Sequence, residues 1–379
     1  MRVTLADPTL ARQAGRFVWL ELNFDAPANR SFLVARGVAY TPALFVLDPG
    51  SERATASHMG GMSLPALIQF LDQGAGGATS PADSALAQGD ASAGIGRLDE
   101  AAAGYRLALR RAPPGWGRRG YALGQLTWAL MIVRDSRACA ELAVAEAPRL
   151  PRDPDFARVV LAGLTGANGG GPAAWAVDAR RVLVPLAAVA VAAPYVTRDN
   201  RFELYQGLMH AAELGADPAT RSRWGGRWLD ELDATVPAND DERTALDVAR
   251  VDAVSELGTP ERALAALAAS ERAMPRSYNA SLRLAQVENM ARRFDEALAA
   301  CARGLARVDG PIGRTWLLET EAEAWMGKGD GVAARRALTD AARAARDINT
   351  RRNRENNLRQ IARMEEEAGR MKGRKHDEP

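Results

Sequence analysis

The pattern of apolar positions changes character near residue 75. Upstream, alternating and continuous apolar runs are separated by short helical ones. FVWLELN (residues 17–23) puts Val18, Leu20 and Leu22 on one side and Trp19 on the other, the alternation of a strand. RSFLVA (30–35) reads as a short helix. ALFVL (43–47) is apolar throughout, which predicts a strand covered on both faces. Asp48-Pro49-Gly50-Ser51 is turn chemistry, residues 53–59 predict a weaker returning strand, and Gly60-Gly61 follows. Ser63 is placed to cap a helix through Leu71, with Leu64, Leu67, Ile68 and Leu71 turned inward. The expected order is strand, helix, strand, turn, strand, helix.

GAGGATSP (74–81) is a linker by composition. Beyond it strand patterns nearly vanish, and helical runs broken at Gly, Pro and Asp predict helical hairpins. Four stretches repeat: GRLDEAAAGYRLALRRAP (96–113), GTPERALAALAASERAMP (258–275), ARRFDEALAACARGLAR (291–307) and GKGDGVAARRALTDAARAA (327–345). Three open on a turn containing glycine, and the third has Ala291 there. Each places an alanine near the start of a second helix: Ala101, Ala263, Ala297 and Ala334. A larger side chain at that position would push the helices of a hairpin apart. Ala263 and Ala297 lie 34 positions apart, Ala297 and Ala334 37.

In period and in these small residues the stretches resemble tetratricopeptide repeats. The resemblance implies an α-solenoid of antiparallel helix pairs, with Tyr105 at the family's second-helix tyrosine and Cys301 in its place in another repeat. Residues 159–232 carry no clean repeat, but VLVPLAAVAVAAP, FELYQGLMHAAEL and SRWGGRWLDEL have the character of further solenoid helices. Residues 349–375 are highly charged with sparse apolar positions, Leu358, Ile361 and Met364, and predict a solvated helix capping the array.

Composition narrows the chemistry. The 379 residues allow two or three domains. With 49 basic against 47 acidic residues, a net charge of +2, the chain lacks the basic excess of a general nucleic-acid or membrane-surface protein. Cys139 and Cys301 sit in helical alanine-rich contexts with no CxxC or metal spacing, and read as small buried hydrophobes. His58, His210 and His376 share no ligand spacing, so neither a metal site nor a catalytic triad is expected, and no cofactor. GANGGGP (166–172) lacks the Lys-Ser/Thr of a phosphate loop and reads as an inter-helix loop. The basic RRNR (351–354) is balanced by Glu355 and by Glu365, Glu366 and Glu367, a solvated face. Seven of the tryptophans fall mostly on helices as packing residues, with one or two available to a peptide groove. The longest apolar run, 182–193, contains Pro185 and is too short to span a membrane. The opening MRVTLADPTL is not a basic start followed by an apolar core, so a cytoplasmic place is expected; a signal peptide upstream of Met1 would make it periplasmic or secreted.

YTPALFVLD, followed by a turn, a returning strand, Gly60-Gly61 and a last helix, resembles the second half of a thioredoxin fold. Pro42 stands at that family's cis-proline with Thr41 before it, and the resemblance implies a backbone at Thr41 and Pro42 able to pair with an extended peptide. The WCxxC segment whose helix N-terminus would activate a thiol has no counterpart here. The family's central strand, between FVWLELN and ALFVL, is also missing, and a core of about 70 residues is marginal even when complete. An upstream start, with an internal methionine taken as the first residue, is the expectation this raises.

The expected architecture is therefore mostly α: a partial thioredoxin-like domain at 1–74, a linker at 75–81, and tetratricopeptide-like repeats with a charged last helix at 82–379. The expected function is a non-enzymatic scaffold, with no catalytic residues, that binds a protein or peptide partner on a concave helical face. The competing expectation is a thiol–disulfide oxidoreductase whose CxxC lies upstream of Met1.

Overall fold

The computed structural model describes residues 7–23, 26–36, 38, 42–52, 54–59, 64–76, 80–348 and 351–374. After α1 (Arg30–Ala35), strands β1 (Ala43–Leu47) and β2 (Ala54–Met59) form an antiparallel hairpin, with Leu44 opposite His58 and Phe45 opposite Ser57. Asp48 closes the turn, its carboxylate accepting from the backbone N–H of Ser51 at 2.8 Å. Helix α2 (Leu64–Ala75) covers this sheet. Leu67, Phe70 and Leu71 meet Val46, Ala56 and Leu10, the last from a short 3-10 turn (Pro8–Gln13). Gly74 ends the packing against β1: a Cβ there would lie 2.6 Å from the Val46 side chain.

Sequence expectations differ here in several places. The apolar run at 17–23 joins no ladder among the described residues; Val18 is 89% and Leu20 80% exposed. Alternation sets which face a strand would bury, but a strand forms only where a neighbour takes its backbone groups. Likewise β1 is fully buried only at Val46, so one side of it is half-covered rather than sealed. At the expected linker, Gly74 and Ala75 still belong to α2, and Ser80 and Pro81 already start the next helix.

The remainder is helical: α3 (Pro81–Gly94), α4 (Leu98–Arg111), α5 (Arg119–Ile132), α6 (Ser136–Glu146), α7 (Pro154–Gly169), α8 (Ala174–Val191), α9 (Arg198–Leu214), α10 (Pro218–Ala234), α11 (Asp240–Leu257), α12 (Glu261–Ala273), α13 (Tyr278–Met290), α14 (Phe294–Leu305), α15 (Pro311–Gly327), α16 (Gly331–Arg346) and α17 (Arg351–Arg374). The chain divides into two compact units, Met1–Pro218 and Ala219–Pro379. In the first, α3/α4 and α7/α8 are closely packed pairs and α5 lies against α4, α6 and α7. In the second, α11/α12, α13/α14 and α15/α16 are pairs, and α17 packs on α16.

The helix starts follow from side chains that satisfy free backbone N–H groups. Ser80, Asp135, Asp153, Asn239 and Asp330 each accept from an N–H in the following turn. Most turns inside hairpins share one device; the α7/α8 turn, where Pro172 without an N–H follows Gly171, does not. One residue sits in the left-handed region, and the next N–H reaches back five residues to the preceding helix, as Arg97 does to Ser92 and Thr259 to Val254. Gly96, Gly258 and Gly329 hold this position at little steric cost, whereas Arg134 and Arg292 adopt it with a full side chain.

Close crossings explain a further difference. GANGGGP is not wholly a loop, because α7 continues to Gly169. A Cβ at Gly166 would sit 2.7 Å from the Ser136 carbonyl oxygen, and one at Gly163 2.2 Å from the Ala143 Cβ. The glycines let α7 press onto α6, and that contact outweighs their low helix propensity. The charged last helix does cap its unit: Ile361, Met364 and Ala368 join Ala334, Leu338 and Ala341 of α16 in one core, with Leu358 half-buried beside it.

Candidate interaction surface

In the first unit the sheet is fastened to the helices around one buried carboxylate. Asp90 on α3, 1% exposed, accepts from Ser57 of β2 at 2.9 Å, from Tyr105 of α4 at 3.0 Å and from Tyr121 of α5 at 3.2 Å. Arg118, just before α5, donates to the Ser57 carbonyl and lies over the rings of Tyr121 and Phe70. His58 stacks on Tyr121 at 4.4 Å. Burial raises the Asp90 carboxyl to about 6, while the Arg118 charge and the three hydroxyl donors pull it back down. Four elements therefore converge on one acceptor that is nearly saturated with donors.

In the second unit the first helices of successive hairpins, α11, α13 and α15, pack side by side, and α17 also touches α15. Charged side chains between the helices are mostly paired. Asp247 of α11 accepts from Ser270 at 2.9 Å and pairs with Arg250 at 3.4 Å. Glu271 of α12 is desolvated, but hydrogen bonds from Arg303 and Ser281, with the charges of Arg303 and Arg307, outweigh that and hold its carboxyl below the usual range.

The acidic patch on α15, which packs against α13 and α17, is different. Glu319 of α15 is 5% exposed; among the described residues its Oε2 accepts only from Gln360 Nε2 of α17 at 3.4 Å, and its buried Oε1 has no hydrogen-bond partner. Asn289 of α13 donates to the Thr320 carbonyl at 2.8 Å and to Glu323, leaving its buried Oδ1 without a donor. Burial, then the charge of Glu323 one turn along, pushes the Glu319 carboxyl up to about 7. Glu323, exposed on α15, is raised by desolvation and by Glu367 of α17.

The residues singled out by sequence fall as follows. Thr41 lies outside the described residues, as do Gly60, Gly61, Ser63 and His376; Pro42 is half-buried just before β1. Ala101, Ala263, Ala297 and Ala334 are 0% exposed on the second helices of their hairpins, and Tyr105 is equally sealed, its hydroxyl on Asp90. These are packing positions, scattered over both units. Cys139 and Cys301 are buried free thiols pushed up to about 12 by desolvation first and nearby carboxylates second. His210 is exposed on α9. Trp224 and Trp228 are buried, and Trp316 of α15 is partly exposed. Among the described residues no group of His, Cys, Asp or Glu is arranged to hold a metal ion, and no helix is long and apolar enough to cross a membrane. Sequence reasoning missed Asp90, Arg118, Glu319, Glu323, Asn289 and Gln360. A single Asp inside the apolar and small positions of α3 was the one available signal.

The fold is thus mostly helical, built of antiparallel hairpins with one small sheet. No family model matches the chain, and no curated protein does. Among solved structures it is similar to the TPR2AB-domain:pHSP90-complex of yeast Sti1, at 13% identity, over 76% of this chain and 98% of that one, with a TM-score of 0.30. A likeness of that size bears on neither fold nor function.

Proposed function

We propose that this chain is a non-enzymatic protein-interaction scaffold of tetratricopeptide-like hairpins, with the sheet and α2 as a redox-inactive thioredoxin-like module. The observation that carries the reading is the row of first helices α11, α13 and α15, packed side by side with polar side chains between them. Ridged helical surfaces of this kind hold an extended peptide or a partner helix. Cysteines sealed in the core with raised thiols favour this reading over thiol chemistry. The test is capture of a partner by the tagged full chain, followed by cross-linking and peptide mapping. Cross-links should concentrate on α11, α13, α15 and α17. Cross-links confined to residues 7–76, or no specific partner, would end the proposal.

A second reading is a thiol–disulfide oxidoreductase in which a longer chain supplies the CxxC segment. It is favoured by the apolar run at 17–23, which has strand alternation but no ladder. Reduction of insulin with dithiothreitol discriminates. The present sequence should show none above background, and turnover that survives Cys139→Ser with Cys301→Ser would remove both cysteines from consideration.

A further inference from the structure

We propose that the acidic patch formed by Glu319 and Glu323 of α15 is the docking point for a lysine or arginine side chain of a basic partner segment. The inference rests on the scaffold reading and names the chemistry of the partner. Its basis is a shortage of donors. Glu319 is buried with one carboxylate oxygen unpaired, and Asn289 Oδ1 beside it is also buried without a donor. Among the described residues the one donor that reaches Glu319, Gln360, does so at 3.4 Å, a poor hydrogen bond that is cheap to displace.

Nor is the charge compensated. Among the described residues, the charged side chain that acts appreciably on Glu319 is another carboxylate, Glu323, and Glu323 in turn feels Glu367. Elsewhere in the same unit a buried carboxylate such as Glu271 has two arginines. A site rich in acceptors, short of N–H groups and fully negative once pH passes about 7 is complementary to an ammonium, with three donors, or a guanidinium, with five. Glu323, exposed on α15, meets the cation first. Gln360 then yields, and Glu319 lies one helical turn deeper.

The experiment uses the full chain and fluorescent peptides of alternating glycine with lysine, glutamate or serine, read by anisotropy at low ionic strength. The lysine peptide should bind about tenfold or more tightly than the serine peptide. Glu319→Gln combined with Glu323→Gln should abolish that preference, as should Glu323→Lys alone, a change at an exposed position that leaves the fold intact by circular dichroism. Glu141→Gln, on the exposed face of α6, should leave it unchanged. Equal binding of the three peptides by the wild type would overturn the inference, and so would a preference that survives in folded Glu323→Lys. Either result leaves the scaffold proposal standing if cross-links still map to the helix row, so the two failures are distinguishable.

Discussion

Asp90 and Glu319 are both acids buried between helices, and their surroundings set them apart. Asp90 gathers three hydroxyl donors and a neighbouring arginine, each from a different element. Glu319 has one long contact from an amide and a second carboxylate nearby. Burial raises both, to about 6 and about 7. A desolvated carboxylate surrounded by donors ties elements together, whereas one left short of donors costs stability on its own and gains from whatever brings a cation. The first is a fastening, and the second is an opening for a partner.

The sharpest way to break this contrast is to delete the fastening. Asp90→Ala leaves Ser57, Tyr105 and Tyr121 without their shared acceptor, and should cost about 2–4 kcal/mol in urea unfolding. Asp90→Asn, which keeps an acceptor, should cost less. Equal losses would mean that the space filled by the side chain matters more than its hydrogen bonds.

Glu319→Gln should act in the opposite direction. The folded carboxyl titrates near 7 against 4.5 for the free group. The folded state therefore favours the proton, so its advantage is complete below about 4.5 and lost as pH rises through 7. Replacing it should leave stability unchanged at pH 4 and add on the order of 1–3 kcal/mol at pH 8. A gain that is the same at both values would tie the effect to packing instead of charge.

The smallest expected difference compares donors one at a time. Ser57→Ala should cost about 1 kcal/mol, since it removes a 2.9 Å bond to a buried acid. Gln360→Ala should change stability by less than about 0.5 kcal/mol, because a 3.4 Å contact contributes little. Chemical denaturation of both variants under one condition checks the pair, and a larger loss at Gln360 would reverse the ranking.

How much of this was written in the sequence depends on how local each feature is. The helices, the turn at Asp48 and the inward side of α2 were legible, because spacing and turn chemistry act within a few residues. The unpaired run at 17–23 was misread because alternation is local while pairing is not. GANGGGP was misread for a related reason: its four glycines suggest a loop until a neighbouring helix needs the missing Cβ at Gly166. The Asp90 cluster joins residues 57, 90, 105 and 121, and no spacing rule links them. Glu319 was hidden for the opposite reason. Among 47 acidic residues nothing marks the one whose neighbours withhold their donors.

The hairpin turns have a mechanical consequence. Most are closed by bonds running only a few residues back into their own first helix. Under tension from the two ends, such a chain should lengthen in sawtooth steps, shedding one helix pair at a time. Each step would release on the order of 100 Å of contour. Residues 43–59, held to three helices through Asp90, should resist longest at their end and set the highest rupture force on the trace.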